Sequence, residues 1–240
     1  MKKILIFISL ILSTLEISAQ ETATTSGDVW GRNKTTTSIG WVNQDFAPEG
    51  GTVNDSKFGF MLRVNKTYNL HKKPIAKILK IGIDAVFTDI TVSKYDTENS
   101  SSYSENWNTL VTDDGYSASD ILGNIGLWNL NYSLGVGLAV TVAPFANLQS
   151  GVRFLKVKLY SHYKPTASTI ILSDDNETES KFAFANMVDF GGMINYKGIS
   201  IGMDGSWGSG KFKSLLDLSG TDEKIKYKFA ATRFFISIAF

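Results

Sequence analysis

The chain has 240 residues, 43% of them hydrophobic and 12% aromatic, with a formal net charge of +1. That balance gives no electrostatic case for nucleic acid as a partner. With no cysteine at all, the sequence excludes disulfides, cysteine-based metal sites and lipid attachment at a cleavage-point cysteine.

Residues 1–20, "MKKILIFISLILSTLEISAQ", have the build of an export signal. Lys2 and Lys3 lead an apolar run, Ile4 to Leu15, of about a dozen residues, shorter than the roughly 20 a spanning helix needs. Cleavage is expected between Ala19 and Glu21, and the "SAQ" ending resembles export signals common in Bacteroidota. Residues 21–33 are expected to form a short segment ahead of the first strand.

From there the dominant signal is two-residue alternation. The first predicted strand, 34–43, is weak and rests on Ile39 and Trp41. In 57–67, Phe58, Phe60, Leu62 and Val64 oppose Gly59, Arg63 and Asn65. In 77–94, Leu79, Ile81, Ile83, Ala85 and Phe87 oppose Lys80, Gly82 and Asp84.

A long connection follows, "DTENSSSYSENWNTLVTDDGYSASD". It is rich in acids (Asp96, Glu98, Glu105, Asp113, Asp114, Asp120) and free of bases. Tyr103, Trp107 and Tyr116 within it are candidates for contact with an external ligand or partner, since loops this long are often functional.

The clearest strand is 126–143, where Leu130, Tyr132, Leu134, Val136, Leu138, Val140 and Val142 alternate with small or polar residues. At about 3.3 Å per residue the stripe covers roughly 40 Å, enough for a tilted bilayer crossing. In 147–163 the phase slips between Phe154 and Leu155, which a β-bulge near Phe154 would absorb, a different strand register being the alternative. His162, beside Ser161, is expected at the outer rim, where successive residues point to opposite faces and cannot pair as base and nucleophile.

Three more strands complete the pattern. In 181–196, Phe182, Phe184, Val188, Phe190 and Ile194 oppose Asp189, Gly191 and Asn195. In 198–212, Ile199, Ile201, Met203 and Trp207 oppose Gly202, Asp204 and Ser206. In 226–240, Phe234, Ile236, Ile238 and Phe240 oppose Arg233, Ser237 and Ala239.

The eight strands are joined alternately by long and short connections, the rhythm of an up-and-down antiparallel barrel that crosses a membrane. A soluble barrel would bury the apolar face instead. Charges and glycines share one parity, so Arg63, Lys80, Asp84, Arg153, Asp189, Asp204 and Arg233 are expected to form a mutually neutralised interior, because unpaired charges facing lipid are costly. Trp41, Trp128, Tyr132, Tyr160, Tyr163, Tyr196, Trp207 and Tyr227 are expected to form interfacial girdles.

The alternating apolar residues Phe234, Ile236 and Ile238, ending on Phe240, resemble the recognition signal by which bacterial outer-membrane barrels are assembled. With the export signal and the loop rhythm, the chain resembles a small outer-membrane barrel of the OmpA/OmpX type across residues 34–240, without a periplasmic domain. The resemblance implies the outer membrane of a Gram-negative bacterium, with residues 21–33 in the periplasm. Outer-membrane lipid, lipopolysaccharide and the assembly machinery are the implied partners.

No phosphate loop, nucleophile elbow or metal-binding motif is present in the sequence. The expectation is therefore a non-enzymatic barrel without cofactor, metal or catalytic residues, acting structurally or in adhesion and recognition through its outer loops. A narrow pore or small-solute transporter is the alternative, and a lipid A-modifying membrane enzyme the third reading.

Overall fold

Alternation becomes architecture in a computed structural model that describes residues 29–30, 34–48, 54–95, 126–173, 178–213 and 224–240. The expected export signal and the loop residues Tyr103, Trp107 and Tyr116 lie outside the described residues. The strands are β1 (Thr35–Pro48), β2 (Asn54–Asn69), β3 (Leu79–Tyr95), β4 (Gly126–Val142), β5 (Leu155–Ser173), β6 (Thr178–Tyr196), β7 (Ile199–Lys213) and β8 (Lys224–Ala239). Each pairs antiparallel with the next, and β1 pairs with β8, closing an all-β, eight-stranded antiparallel up-and-down barrel.

The closing seam sets Trp41 opposite Phe234, Ile39 opposite Ile236 and Thr37 opposite Ile238, and the Phe240 amide donates to the Thr35 carbonyl at 2.9 Å. The β6–β7 connection is a two-residue hairpin at Lys197 and Gly198, with φ of 50° and 95°. Both residues are left-handed, as a primed turn matching strand twist requires. Connections β2–β3, β4–β5 and β6–β7 and both ends of the barrel sequence, Thr35 and Ala239, share one end, called here the turn end. The long–short rhythm expected from sequence does not hold, because β5 and β6 run on past their apolar stripes: residues 174–177 alone join them, whereas 143–154 join β4 to β5.

Polarity runs opposite to that of a soluble protein. Leu138, Ile201, Phe184, Phe190 and Trp41 point outward and are 63%, 68%, 75%, 60% and 64% exposed, while Arg63, Asp84, Asp89, Asp189, Asp204 and Arg233 are buried inside. An apolar exterior around a charged interior is what a barrel crossing a bilayer requires, because lipid cannot solvate charge.

Parity is not constant along β3. Up to Val86 the even-numbered residues face the lumen; from Asp89 the odd-numbered ones do. The switch is a β-bulge at Phe87–Thr88: Asn65 pairs with Val86 but Val64 pairs with Thr88, and on β4 Gly135 pairs with Val86 but Ser133 with Asp89. One extra residue therefore re-aims the rest of the strand.

The slip near Phe154 has a different cause from the bulge expected there. Gly151–Phe154 form a 3-10 turn, and β5 begins only at Leu155 and runs to Ser173. Arg153 belongs to that turn, half-exposed, so it is not an interior charge of the barrel. Tyr160 and Tyr227 are 3% and 4% exposed inside the lumen and take no part in an exterior girdle. Tyr132, Tyr163, Tyr196, Trp41 and Trp207 do lie on the outer surface.

Candidate functional site

The middle of the lumen is an ionic layer drawn from six strands. Arg63 on β2 donates from Nε to Asp89 Oδ2 at 3.0 Å, from Nη1 to Asp204 Oδ2 at 2.8 Å and from Nη2 to Asp189 Oδ2 at 3.1 Å. Arg233 on β8 meets the same three carboxylates, with Nη1 3.1 Å from Asp89 Oδ2, Nη2 2.6 Å from Asp189 Oδ2 and Nε donating to Asp204 Oδ1. Lys164 Nζ on β5 completes the layer, 2.7 Å from Asp89 and 2.8 Å from Asp189. The Tyr160 hydroxyl donates to Asp204 Oδ2 at 2.7 Å.

Three cations thus face three carboxylates, so the layer carries no net charge. Each charge lost its water on burial, and only multiple charge-assisted hydrogen bonds offset that cost. The planar arginine forks suit this because each reaches several carboxylates at once.

A second cluster lies toward the turn end. Asp84 accepts from Lys158 Nζ at 2.8 Å, Asn65 Nδ2 at 3.0 Å and Thr67 Oγ1 at 2.7 Å, and His162 Nε2 lies 2.9 Å away. His162 Nδ1 is 3.9 Å from Asp189 Oδ2, so the imidazole stands between the two ionic clusters. It is 1% exposed in mid-barrel, not at the outer rim, and Ser161 is on the opposite parity. Room for β5 to pass so close is made by Gly137, where a Cβ would fall 1.6 Å from the Ser161 carbonyl oxygen.

Toward the opposite end, a neutral network takes over. Gln44 Nε2 donates to Asn129 Oδ1 at 3.1 Å, Ser93 donates to Gln44 Oε1 at 3.1 Å, and Asn129 Nδ2 donates to Ser168 at 2.9 Å. Beyond it the lumen turns apolar: Phe46, Tyr95, Leu127, Ile170, Met187, Tyr227 and Phe229 pack into one buried cluster. Phe46 stacks on Tyr227 with centroids 4.7 Å apart and sits 5.3 Å from Phe229. Charge, amide and aromatic layers therefore succeed one another along the axis.

Of the interior charges expected from sequence, Arg63, Asp84, Asp189, Asp204 and Arg233 come together in these clusters. Lys80 is also buried but stands apart near the turn end, its Nζ 5.3 Å from the Trp30 ring. Phe234, Ile236 and Ile238 lie on the exterior beside β1.

Asp89, Lys158, Tyr160, His162 and Lys164 are lumen residues outside the interior set expected from sequence. Asp89 follows a bulge, and the other four belong to a strand that starts later than its apolar residues suggest. The alternation of Lys158, Tyr160, His162 and Lys164 with Val157, Leu159 and Tyr163 is the available signal. Among the described residues, no three His, Asp or Glu side chains are grouped to hold a metal ion.

No protein-family model matches the chain, and a search of curated proteins finds no match. Among solved structures it is similar to Ail, the attachment invasion locus protein of Yersinia pestis, at 15% identity and a TM-score of 0.46, over 88% of this chain and 100% of that one. It is similar to a major outer membrane protein from Thermus thermophilus at 13% identity and a TM-score of 0.43, over 88% and 100%. OprG from Pseudomonas aeruginosa gives 11% identity and a TM-score of 0.31, over 89% and 99%. Likeness of this grade adds nothing to what the strands of this chain display directly.

Proposed function

We propose that this chain is an outer-membrane barrel of a Gram-negative bacterium with a sealed lumen, acting non-enzymatically as a surface structure or recognition element through its outer loops, chiefly the long connection 96–125. The observation that supports it is the three-cation, three-carboxylate layer spanning the lumen beneath the Phe46–Tyr227–Phe229 cluster. An ion entering that layer would have to break several buried charge-assisted bonds, and a solute would have to displace packed aromatic rings as well.

With the interior committed to structure, recognition falls to the connections at the end opposite the turns, above all residues 96–125 with their acids and aromatics. His162 Nε2 lies 2.9 Å from Asp84 Oδ2 within the lumen, with Ser161 on the opposite parity, so this reading gives the histidine a structural role. Phe234, Ile236, Ile238 and Phe240 serve assembly, presenting the last strand to the insertion machinery.

Two assays test the proposal. Liposomes carrying the folded barrel should not swell in small sugars. Cells expressing a variant lacking residues 98–120 should lose surface or cell binding while keeping the barrel. Rapid swelling, or binding unaffected by the deletion, would contradict it.

A further inference from the structure

Among the described residues, the exposed charged side chains at the turn end of the barrel are all basic. Lys66, Lys72, Lys73, Lys77 and Lys197 are exposed or half-exposed there. Among the described residues no acidic side chain shares that rim, since Asp84, the first acid above it, is buried against Lys158 and His162.

The same turns expose large apolar side chains beyond the lower edge of the strand belt. Leu70, Ile75 and Leu148 are 61%, 49% and 50% exposed. Ala76 and Lys77 adopt φ of 47° and 66°, a tight reversal that holds Lys77 close behind Ile75. Lys66 Nζ lies 5.6 Å from the Tyr68 ring centroid, and Lys197 Nζ lies 5.3 Å from that of Tyr196. Such pairs keep an ammonium and an aromatic ring at one depth, the level of a headgroup layer.

A rim built only to face water has no use for exposed Leu70 and Ile75. One built only to sit in hydrocarbon has no use for the lysines. Apolar side chains for the acyl boundary, interleaved with ammonium groups for phosphates, match the surface of an anionic membrane leaflet. We propose that the turn end is a collar that selectively binds anionic phospholipid of the adjoining leaflet, continuous with the lipid-facing belt above it. The inference rests on the membrane reading and adds to it a preference for one headgroup class.

The test uses the exported chain, purified from membranes and reconstituted in vesicles of phosphatidylcholine and phosphatidylglycerol in equal parts. Association of spin-labelled phosphatidylglycerol and phosphatidylcholine with the protein is compared. The expected result is several-fold preference for phosphatidylglycerol, lost in high salt and lost in a variant with Lys66, Lys72, Lys73, Lys77 and Lys197 changed to Gln. That variant should still shift on a boiled-versus-unboiled gel.

Equal association of the two lipids with a folded, inserted barrel would overturn the collar and leave the barrel reading intact. So would preference retained in the Gln variant. Capture of soluble acidic glycan fragments without lipid preference would assign the collar to a glycan instead and overturn the proposal. A chain that never enters the vesicles would overturn the membrane reading, and the collar with it.

Discussion

Arg63 and Asp89 face each other across the β2–β3 ladder as paired residues, with Arg63 Nε 3.0 Å from Asp89 Oδ2, and the pairing exists because the bulge just before it turns Asp89 inward. The same guanidinium reaches Asp189 and Asp204, so one side chain joins β2, β3, β6 and β7. Arg63→Met should therefore leave buried carboxylates short of partners and cost roughly 3–5 kcal/mol. Adding Asp89→Leu should cost much less than the sum of the two single changes, because it removes a charge the first change stranded. Urea unfolding in lipid vesicles measures both.

The bulge itself makes a sharper prediction. Deleting Thr88 restores strict alternation and still leaves the following aspartate facing inward, so the barrel should assemble. Deleting Val188 from the unbroken β6 should instead throw Asp189 or its neighbours onto the lipid face and block folding. Heat-modifiable mobility on gels separates the two results, and equal tolerance would contradict the assigned parity.

Close strand approach predicts an asymmetry between two glycines. Gly137→Ala places a methyl group 1.6 Å from the Ser161 carbonyl oxygen and must push β4 from β5, at about 1–3 kcal/mol. Gly151→Ala meets nothing nearer than the Tyr196 hydroxyl at 3.6 Å and should be close to neutral. Paired unfolding curves give the comparison.

The outward face has its own test. Leu134 is 51% exposed at the middle of β4, and Leu134→Arg should cost about 2–4 kcal/mol if lipid covers it. On a water-facing surface the same change would be close to neutral. Folding yield into vesicles and unfolding midpoints report the difference.

Much of this fold is legible in the sequence because lipid and lumen impose opposite demands on successive residues. In β4, β6, β7 and β8 the alternation runs unbroken, and there the predicted and observed strands differ by only a few residues at their ends. The interior is legible only where parity holds. Asp89 escapes because Thr88 falls on the polar parity set by Lys80, Gly82 and Asp84, and the phase change shows only downstream, where Asp89, Thr91 and Ser93 alternate with Ile90 and Val92. Lys158, His162 and Lys164 escape because a 3-10 turn with apolar Val152 and Phe154 imitates the start of a strand. The apolar cluster around Phe46 is illegible for another reason: an aromatic residue on the polar parity reads as an exception until its neighbours are seen to share it.

A lumen sealed by its own ion pairs and aromatic cluster is what the proposed function requires. The most direct measurement is single-channel conductance of the reconstituted barrel in a planar bilayer, after a gel shift has confirmed that the sample is folded. A silent membrane is the predicted result. Stable, stepwise current from folded protein would contradict it, because the Arg63–Asp204 and Arg233–Asp189 bonds could not then both close the path.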